Sequence, residues 1–320
     1  MRKATLLFLV AVSVYCQTNG VIRGPLSGYV GDAPTQSIRP IMGVLGGAYL
    51  GTAILGDVTK AWVAPEGARA IILRRNRYFL VSDLDTGALR IDETPMGVAG
   101  PDAFVAWAAD GMVVVVAGDG GLQAASWKET ERAWTVEPVR AVPAGAITAL
   151  AVDSKSGALA VAISQGDGTR VHVGSVWRGE LGIMHRGQAV GALAYAHTGE
   201  TLYVSDKGTG QILSIIRSGA RAEGVITSNP DEYRDVIALA VASDDSAVYS
   251  VHGDRRVVVK HNVGDRSIRT VEVEGTPNGM INISTAGFYV VALREKPSDA
   301  VLAFDSRLDL LYFIPAGGVQ

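Results

Sequence analysis

The chain has 320 residues, of which 48% are hydrophobic and 19% charged, and its formal net charge is −3. This apolar content is enough for a large core and excludes a disordered chain. The small negative charge argues against nucleic-acid binding, in which a basic face supplies most of the affinity. The 38 glycines, spread among short apolar runs, indicate an all-β protein with many turns.

The first sixteen residues have the pattern of a secretory signal peptide. Arg2 and Lys3 form a basic start, and Ala4–Val14 form an apolar stretch too short to span a bilayer comfortably. We expect cleavage after Cys16, with lipidation of Cys16 as the alternative. Because this is the only cysteine, the mature chain would hold no disulfide and no cysteine-ligated metal. The pattern predicts a secreted, periplasmic or cell-surface protein of bacterial type.

A flexible lead is expected over residues 17–25, followed by a short β unit. Residues 28–32 and 37–43 predict a hairpin with its turn at Asp32-Ala33-Pro34, and residues 48–54 predict a third strand. This unit matches the rest of the chain poorly, and we interpret it as an incomplete repeat.

From Ala61 onward, a pattern of about 43 residues recurs six times. Each copy opens with a short strand and a turn that ends in Gly or Asp, and further strands follow. The six opening segments are Ala61–Gly67, Ala106–Gly111, Leu150–Gly157, Leu193–Gly199, Leu239–Asp245 and Ile281–Gly287. One such sheet cannot bury both faces alone, but sheets packed radially around an axis can.

The sequence therefore predicts an all-β fold, a β-propeller with seven blades favoured and six blades plus an N-terminal hairpin as the alternative. Small residues suit the first strand of each blade, which lines the narrow channel. Ala61, Ala106, Ala151, Ala194 and Ala240 occupy that strand. A single propeller domain is expected over residues 26–320, with blades at 26–56, 57–101, 102–144, 145–187, 188–233, 234–276 and 277–316.

Residues 202–206, Leu-Tyr-Val-Ser-Asp, follow the turn Ala196-His-Thr-Gly199. Together they resemble the YVTN-type repeat of bacterial propellers, and the turns at 64–67 and 108–111 match the same pattern. The resemblance implies a seven-bladed, YVTN-like or WD40-like propeller. That superfamily includes lactonase-like enzymes, surface-layer proteins and binding scaffolds, so the fold by itself selects no function.

Four residues are predicted to bind a ligand at the channel mouth, namely Arg75, Asp83, His252 and Asp254. Acidic turns recur along the repeats, and their carboxylates could form a cation-binding ring or simply be hairpin residues. These turns contain Asp83, Asp85, Asp119, Asp167, Asp206 and Asp254. The hairpin interpretation is preferred, and no metal or other cofactor is expected.

The five histidines show no metal-ligand spacing, and structural roles are expected for most of them. His252 is the first to test, because it ends a strand at the rim. Trp62 and Trp107 hold matching first-strand positions and are expected to pack between blades. Neither a GxSxG nor an HExxH motif is present.

The favoured prediction from sequence is an exported, non-enzymatic scaffold that binds a protein, peptide or glycan, as a monomer. The alternative is a lactonase-like or other hydrolytic propeller with its site at the channel mouth. An enzyme needs His, Asp, Glu or Arg side chains from several blades within hydrogen-bonding reach of one another. A scaffold instead presents an apolar or aromatic patch.

Overall fold

Seven antiparallel sheets make up the computed structural model, which describes residues 25–317 except 93, 94, 99, 119, 154, 218–222 and 228. Six sheets have four strands and one has three, which confirms the all-β class and the seven-bladed propeller. The predicted signal peptide, Cys16, Asp119 and nearly all of the expected lead lie outside the described residues. Within the described part of the chain, no helix is long and apolar enough to cross a membrane.

Blade 1 contains three strands: β1 (Leu26–Asp32), β2 (Ser37–Met42) and β3 (Tyr49–Leu50). Blades 2 and 3 contain β4 (Lys60–Val63), β5 (Ala70–Arg74), β6 (Arg77–Ser82), β7 (Arg90–Ile91), β8 (Phe104–Trp107), β9 (Val113–Gly118), β10 (Gly121–Lys128) and β11 (Ala133–Val136). Blade 4 contains β12 (Ala146–Asp153), β13 (Ala158–Gln165), β14 (Gly168–Ser175) and β15 (Gly182–Gly187).

The last three blades follow the same plan. Blade 5 contains β16 (Val190–Tyr195), β17 (Thr201–Asp206), β18 (Gln211–Ile216) and β19 (Glu223–Val225). Blade 6 contains β20 (Val236–Val241), β21 (Ala247–His252), β22 (Val257–Asn262) and β23 (Ile268–Glu272). Blade 7 contains β24 (Ile281–Ser284), β25 (Phe288–Ala292), β26 (Val301–Asp305) and β27 (Leu310–Ile314). The lowest-numbered strand of each blade is the innermost.

The hydrophobic core lies between the blades. The described residues form seven buried clusters, one at each contact between neighbouring blades. Alternate side chains of a second strand therefore face opposite neighbours: Val248 packs towards blade 5, whereas Tyr249 packs towards blade 7. Because both faces are covered, these strands are mostly apolar.

Blade 1 differs from the others in strand direction. Gly28, near the start of β1, approaches Ile283 near the end of β24, and Gly31, near the end of β1, approaches Ala61 near the start of β4. The innermost strand of blade 1 therefore runs opposite to its two neighbours. This reversal explains why the N-terminal unit does not align with the six repeats.

The ring closes between blades 7 and 1. The amide of Leu50 donates to the Pro315 carbonyl at 3.0 Å, and Leu50 bridges Ala316 in parallel. In the same interface, Arg294 Nε donates to Asp32 Oδ1 at 2.6 Å, with both side chains buried. The two ends of the chain thus hold the ring together in the same interface.

Candidate functional site

The channel-lining strands offer few groups for chemistry. Among the described residues, the innermost strands carry no histidine, glutamate or arginine. Their charged residues lie at strand ends and are Asp32, Lys60 and Asp153. Apolar and small residues fill the rest. A hydroxyl, two imidazoles and a carboxylate converge instead between blades 5 and 6.

That group is a hydrogen-bonded array of four residues, which we call the Ser250 array: Asp235, Ser250, His252 and His261. Asp235 Oδ1 lies 2.7 Å from His252 Nδ1, and His252 Nε2 lies 3.0 Å from Ser250 Oγ. Ser250 Oγ also lies 3.2 Å from His261 Nε2. A hydroxyl, an imidazole base and a carboxylate that orients the base are thus joined in order, as nucleophilic catalysis requires.

Strand geometry places these side chains together. Ser250 and His252 are two residues apart on β21, so they share the face that is directed at blade 5. His261 lies on β22, where it is paired with Val248, one position diagonal to Ser250. Asp235 immediately precedes β20, in the connector that enters blade 6 from blade 5.

Electrostatics keep the carboxylate charged and the imidazoles neutral. Burial would raise the pKa of Asp235, but hydrogen bonds from the Arg255 amide and from His252 hold it below the ordinary aspartate value. Burial lowers the pKa of His252, and Asp235 opposes only part of that effect. Burial also lowers the pKa of His261, to about 4. At neutral pH the array therefore contains one carboxylate and two uncharged imidazoles.

Tyr233 covers the array from the connector between blades 5 and 6. Its ring lies 5.4 Å from the His252 ring and 5.3 Å from the His261 ring, centroid to centroid. A short 3-10 turn, Pro230–Glu232, precedes it and is capped by the Asn229 side chain. Ser250 and His252 are fully buried in this arrangement, so the connector closes the site.

The four sequence-predicted site residues lie in different parts of the ring. His252 belongs to the Ser250 array, and Asp254 is an exposed residue of the turn that follows. Arg75 is exposed in the β5–β6 turn of blade 2. Asp83 follows β6 at the opposite end of the same blade, where it forms ion pairs with Arg90 and Arg132. The ligand-binding role of these four residues remains a prediction.

The predicted acidic turns show local roles. Asp206 accepts hydrogen bonds from the amides of Gln188, Ala189 and Gly208, and Asp167 is paired with Arg170. No group of three or more His, Asp or Glu side chains with metal-binding geometry occurs in the described ranges. Trp107 Nε1 donates to the Trp62 carbonyl at 3.0 Å, so these two tryptophans connect blades 2 and 3.

Sequence reasoning missed three of the four members of the array as site residues. Ser250, Asp235 and His261 come from a strand, a connector and another strand, with no motif to join them. The available signal was the Ser-Val-His alternation at 250–252 within an otherwise apolar strand. A hydroxyl and an imidazole on the same face of a buried strand require a polar partner across the blade interface.

Comparison with known proteins identifies the fold. No protein-family model matches the chain, and no curated protein matches its sequence. The periplasmic gluconolactonase PpgL of Pseudomonas aeruginosa is 15% identical, with a TM-score of 0.63 over 91% of this chain and 96% of that one. A Bacteroides uniformis protein assigned as a 6-phosphogluconolactonase is 14% identical, with a TM-score of 0.62 over 91% and 96%. A chain from a nidogen/laminin complex is 12% identical, with a TM-score of 0.55 over 77% and 93%.

These comparisons contradict the prediction of a non-enzymatic scaffold. Two of the similar structures that span 91% of this chain carry lactonase names. The argument for a scaffold rested on the absence of a recognisable nucleophile and base, and the Ser250 array supplies that pair of groups. Residues that are brought together only by folding leave no local motif, which is why the sequence led to the wrong preference.

Proposed function

We propose that the protein is a hydrolytic propeller that cleaves lactones or simple carboxylic esters, with Ser250 as the nucleophile and His252 as the general base. The observation that carries the proposal is the ordered contact of Ser250 Oγ, His252 Nε2 and, through Nδ1, the Asp235 carboxylate. The lactonase names of two similar structures support the substrate class.

The proposed reaction has two stages. Ser250 Oγ attacks the carbonyl carbon while His252 Nε2 takes the hydroxyl proton. The carbon–oxygen bond of the lactone ring then breaks, and His252 returns the proton to the leaving alkoxide. Water next attacks the acyl-serine with the same base, which releases the hydroxy acid and regenerates the serine. Asp235 holds the His252 tautomer and stabilises the imidazolium that forms.

Turnover requires the connector at 229–235 to move, because Tyr233 packs on both imidazole rings and Ser250 is fully buried. Arg255 Nη1 donates to the Glu232 carbonyl at 2.9 Å and ties this connector to the β21–β22 turn. Opening would break this contact and expose both imidazole rings to the substrate. Loops that close over a site exclude water from the reacting groups.

The test compares Ser250→Ala with the wild type on a panel of aldonolactones, alkyl lactones and p-nitrophenyl esters. We expect the variant to lose about a thousandfold or more of the catalysed rate. Ser205→Ala is the matched control, because Ser205 is an equally buried serine on β17 whose hydroxyl makes no hydrogen bond to any residue that the structure describes. It should retain wild-type rates and the wild-type melting temperature.

Covalent labelling provides a second measurement. A fluorophosphonate should modify Ser250 in the wild type, as detected by mass spectrometry of the peptide, and should leave Ser250→Ala unlabelled. If the wild type hydrolyses no member of the panel and is not labelled, the array is a structural network and the proposal fails. Full activity in Ser250→Ala would equally exclude this serine as the nucleophile.

Export and finer family membership are part of the same proposal. The basic and apolar pattern of residues 1–16 and the residue 202–206 motif support an exported YVTN-type propeller. Expression of the full chain in a Gram-negative bacterium should give a periplasmic product that begins at Gln17. A cytoplasmic product that retains Met1 would contradict export.

A further inference from the structure

We infer that His261 is a positioning residue that donates its Nε2 proton to Ser250 Oγ and so directs the serine proton towards His252. This inference rests on the proposed function in assigning Ser250 as the nucleophile, but the hydrogen-bond direction can be tested without any activity. His261 lies in another strand from His252 and contacts neither Asp235 nor the connector by hydrogen bond.

The direction follows from counting donors along the array. A carboxylate only accepts hydrogen bonds, so His252 Nδ1 must carry a proton and donate it to Asp235. A neutral His252 then has a bare Nε2, which accepts the Ser250 hydroxyl proton. Since that proton is the only one the serine has, the remaining contact at 3.2 Å must be donated by His261 Nε2.

The Nδ1 atom of His261 supports this direction of the hydrogen bond, from His261 Nε2 to Ser250 Oγ. His261 Nδ1 is buried and makes no hydrogen bond in the structure. If Nε2 carries the proton, Nδ1 is a bare acceptor, which is a smaller penalty than a buried N–H without a partner. The opposite direction would leave an N–H buried without an acceptor and would turn the serine proton away from its base.

In the proposed reaction this hydrogen bond orients the Ser250 hydroxyl for attack. One lone pair of Ser250 Oγ accepts the His261 N–H, and the hydroxyl proton points to His252. The second lone pair of the oxygen can then attack the carbonyl carbon. When the proton leaves, the same N–H stabilises the oxygen's negative charge. Tyr233 packs against both imidazole rings and restricts their rotation.

Tautomers can be read directly from histidine ¹⁵N chemical shifts in the full chain. We expect His252 in the Nδ1–H form and His261 in the Nε2–H form at neutral pH. Observation of His261 in the Nδ1–H form, or as an imidazolium, would overturn the inference regardless of whether the enzyme turns over. A wild type that is inactive but shows the expected tautomers would refute the proposed function and leave the array's direction confirmed.

Kinetics then separate positioning from stability. His261→Phe removes the N–H donor to Ser250. We expect kcat to fall about tenfold with KM little changed, because a tenfold change in rate corresponds to the free energy of about one hydrogen bond. His261→Gln places an amide N–H near the Nε2 position and should restore most of the rate. His172→Gln, a buried histidine on β14 of blade 4, is the matched control and should keep the wild-type kcat. If His261→Phe retains the wild-type kcat, His261 has no positioning role.

Discussion

At the scale of single residues, buried charges connect neighbouring blades. Arg69 in blade 2 forms an ion pair with Glu66 at 2.9 Å, and its guanidinium lies 5.2 Å from the centre of the Trp127 ring in blade 3. Burial raises the pKa of Glu66 from its ordinary 4.5 to about 7, and the charge of Arg69 opposes only part of this change. Glu66 is therefore a carboxyl group that titrates near neutral pH.

The raised pKa of Glu66 predicts that the free energy of unfolding depends on pH. Between pH 4.5 and 7, folded Glu66 retains a proton that the unfolded chain has lost, so the stabilisation is complete below pH 4.5 and is lost as pH rises through 7. The difference between the ordinary pKa of 4.5 and the folded pKa of about 7 corresponds to a loss of unfolding free energy on the order of 3 kcal/mol before solvent screening. Glu66→Gln should remove this part of the decline, as measured by urea unfolding at pH 5 and pH 8.

Glu131→Gln is the control for that experiment, because Glu131 is an exposed glutamate of the turn that follows β10. Its stability should follow the wild type at both pH values. An unchanged decline in Glu66→Gln would show that another group controls the pH dependence.

At the scale of elements, the turn between the first and second strands gives each regular blade its shape. In blades 2, 3, 4, 5 and 7 the turn ends on a glycine with φ between 61° and 84°, and in blade 6 on Asp245 with φ of 58°. Positive φ is strained for residues with a Cβ, so glycine is favoured. Gly199 N donates to the Ala196 carbonyl at 2.9 Å and closes this turn in blade 5.

Gly199→Ala should therefore destabilise the protein by about 2 kcal/mol. The φ of 76° is unfavourable for alanine, and the added Cβ would lie 2.3 Å from Asp153 Oδ2 in blade 4. Thermal or urea unfolding measures the change. Gly166→Ala is the matched control, since a Cβ there contacts nothing within 4 Å, and we expect a change within about 0.5 kcal/mol. Equal stabilities of the two variants would show that the turn tolerates a side chain.

At the scale of the whole molecule, the ring depends on its closure between blades 7 and 1. Asp32 accepts two hydrogen bonds from Arg294 and a further one from Thr35, and Arg39 Nη1 lies 3.5 Å away. Burial would raise the pKa of Asp32, but these partners lower it below the ordinary aspartate value. The contact joins residues that are 262 positions apart in sequence.

Arg294→Met should destabilise the ring by about 3–5 kcal/mol, because it leaves a buried carboxylate without its main partner. Arg170→Met removes an ion pair whose Asp167 side chain is 71% exposed, and should change stability by no more than about 1 kcal/mol. Chemical unfolding of the three proteins measures both effects. If Arg294→Met is as stable as Arg170→Met, the Asp32 contact does not support closure.

Much of the fold could be predicted because a propeller repeats a local pattern. The strand-and-turn segments from Ala61 onward contain their own periodicity, and Gly67, Gly111, Gly157, Gly199 and Gly287 each mark a turn. The β1 hairpin was also recognisable as two strands. Its reversed direction was not, since strand direction in the ring depends on contacts with Ile283 and Ala61 and on no local feature.

The sequence by itself determined the composition and the six repeats and favoured seven blades over six, because short-range alternation and turn glycines act within a few residues. Only the tertiary structure decided which side chains meet. Asp235, Ser250, His252 and His261 come together because two blades pack face to face and a connector folds over them. Such contacts depend on the position of whole sheets. The Ser250 array, and with it the proposal of a hydrolytic function, could therefore be derived only from the tertiary structure.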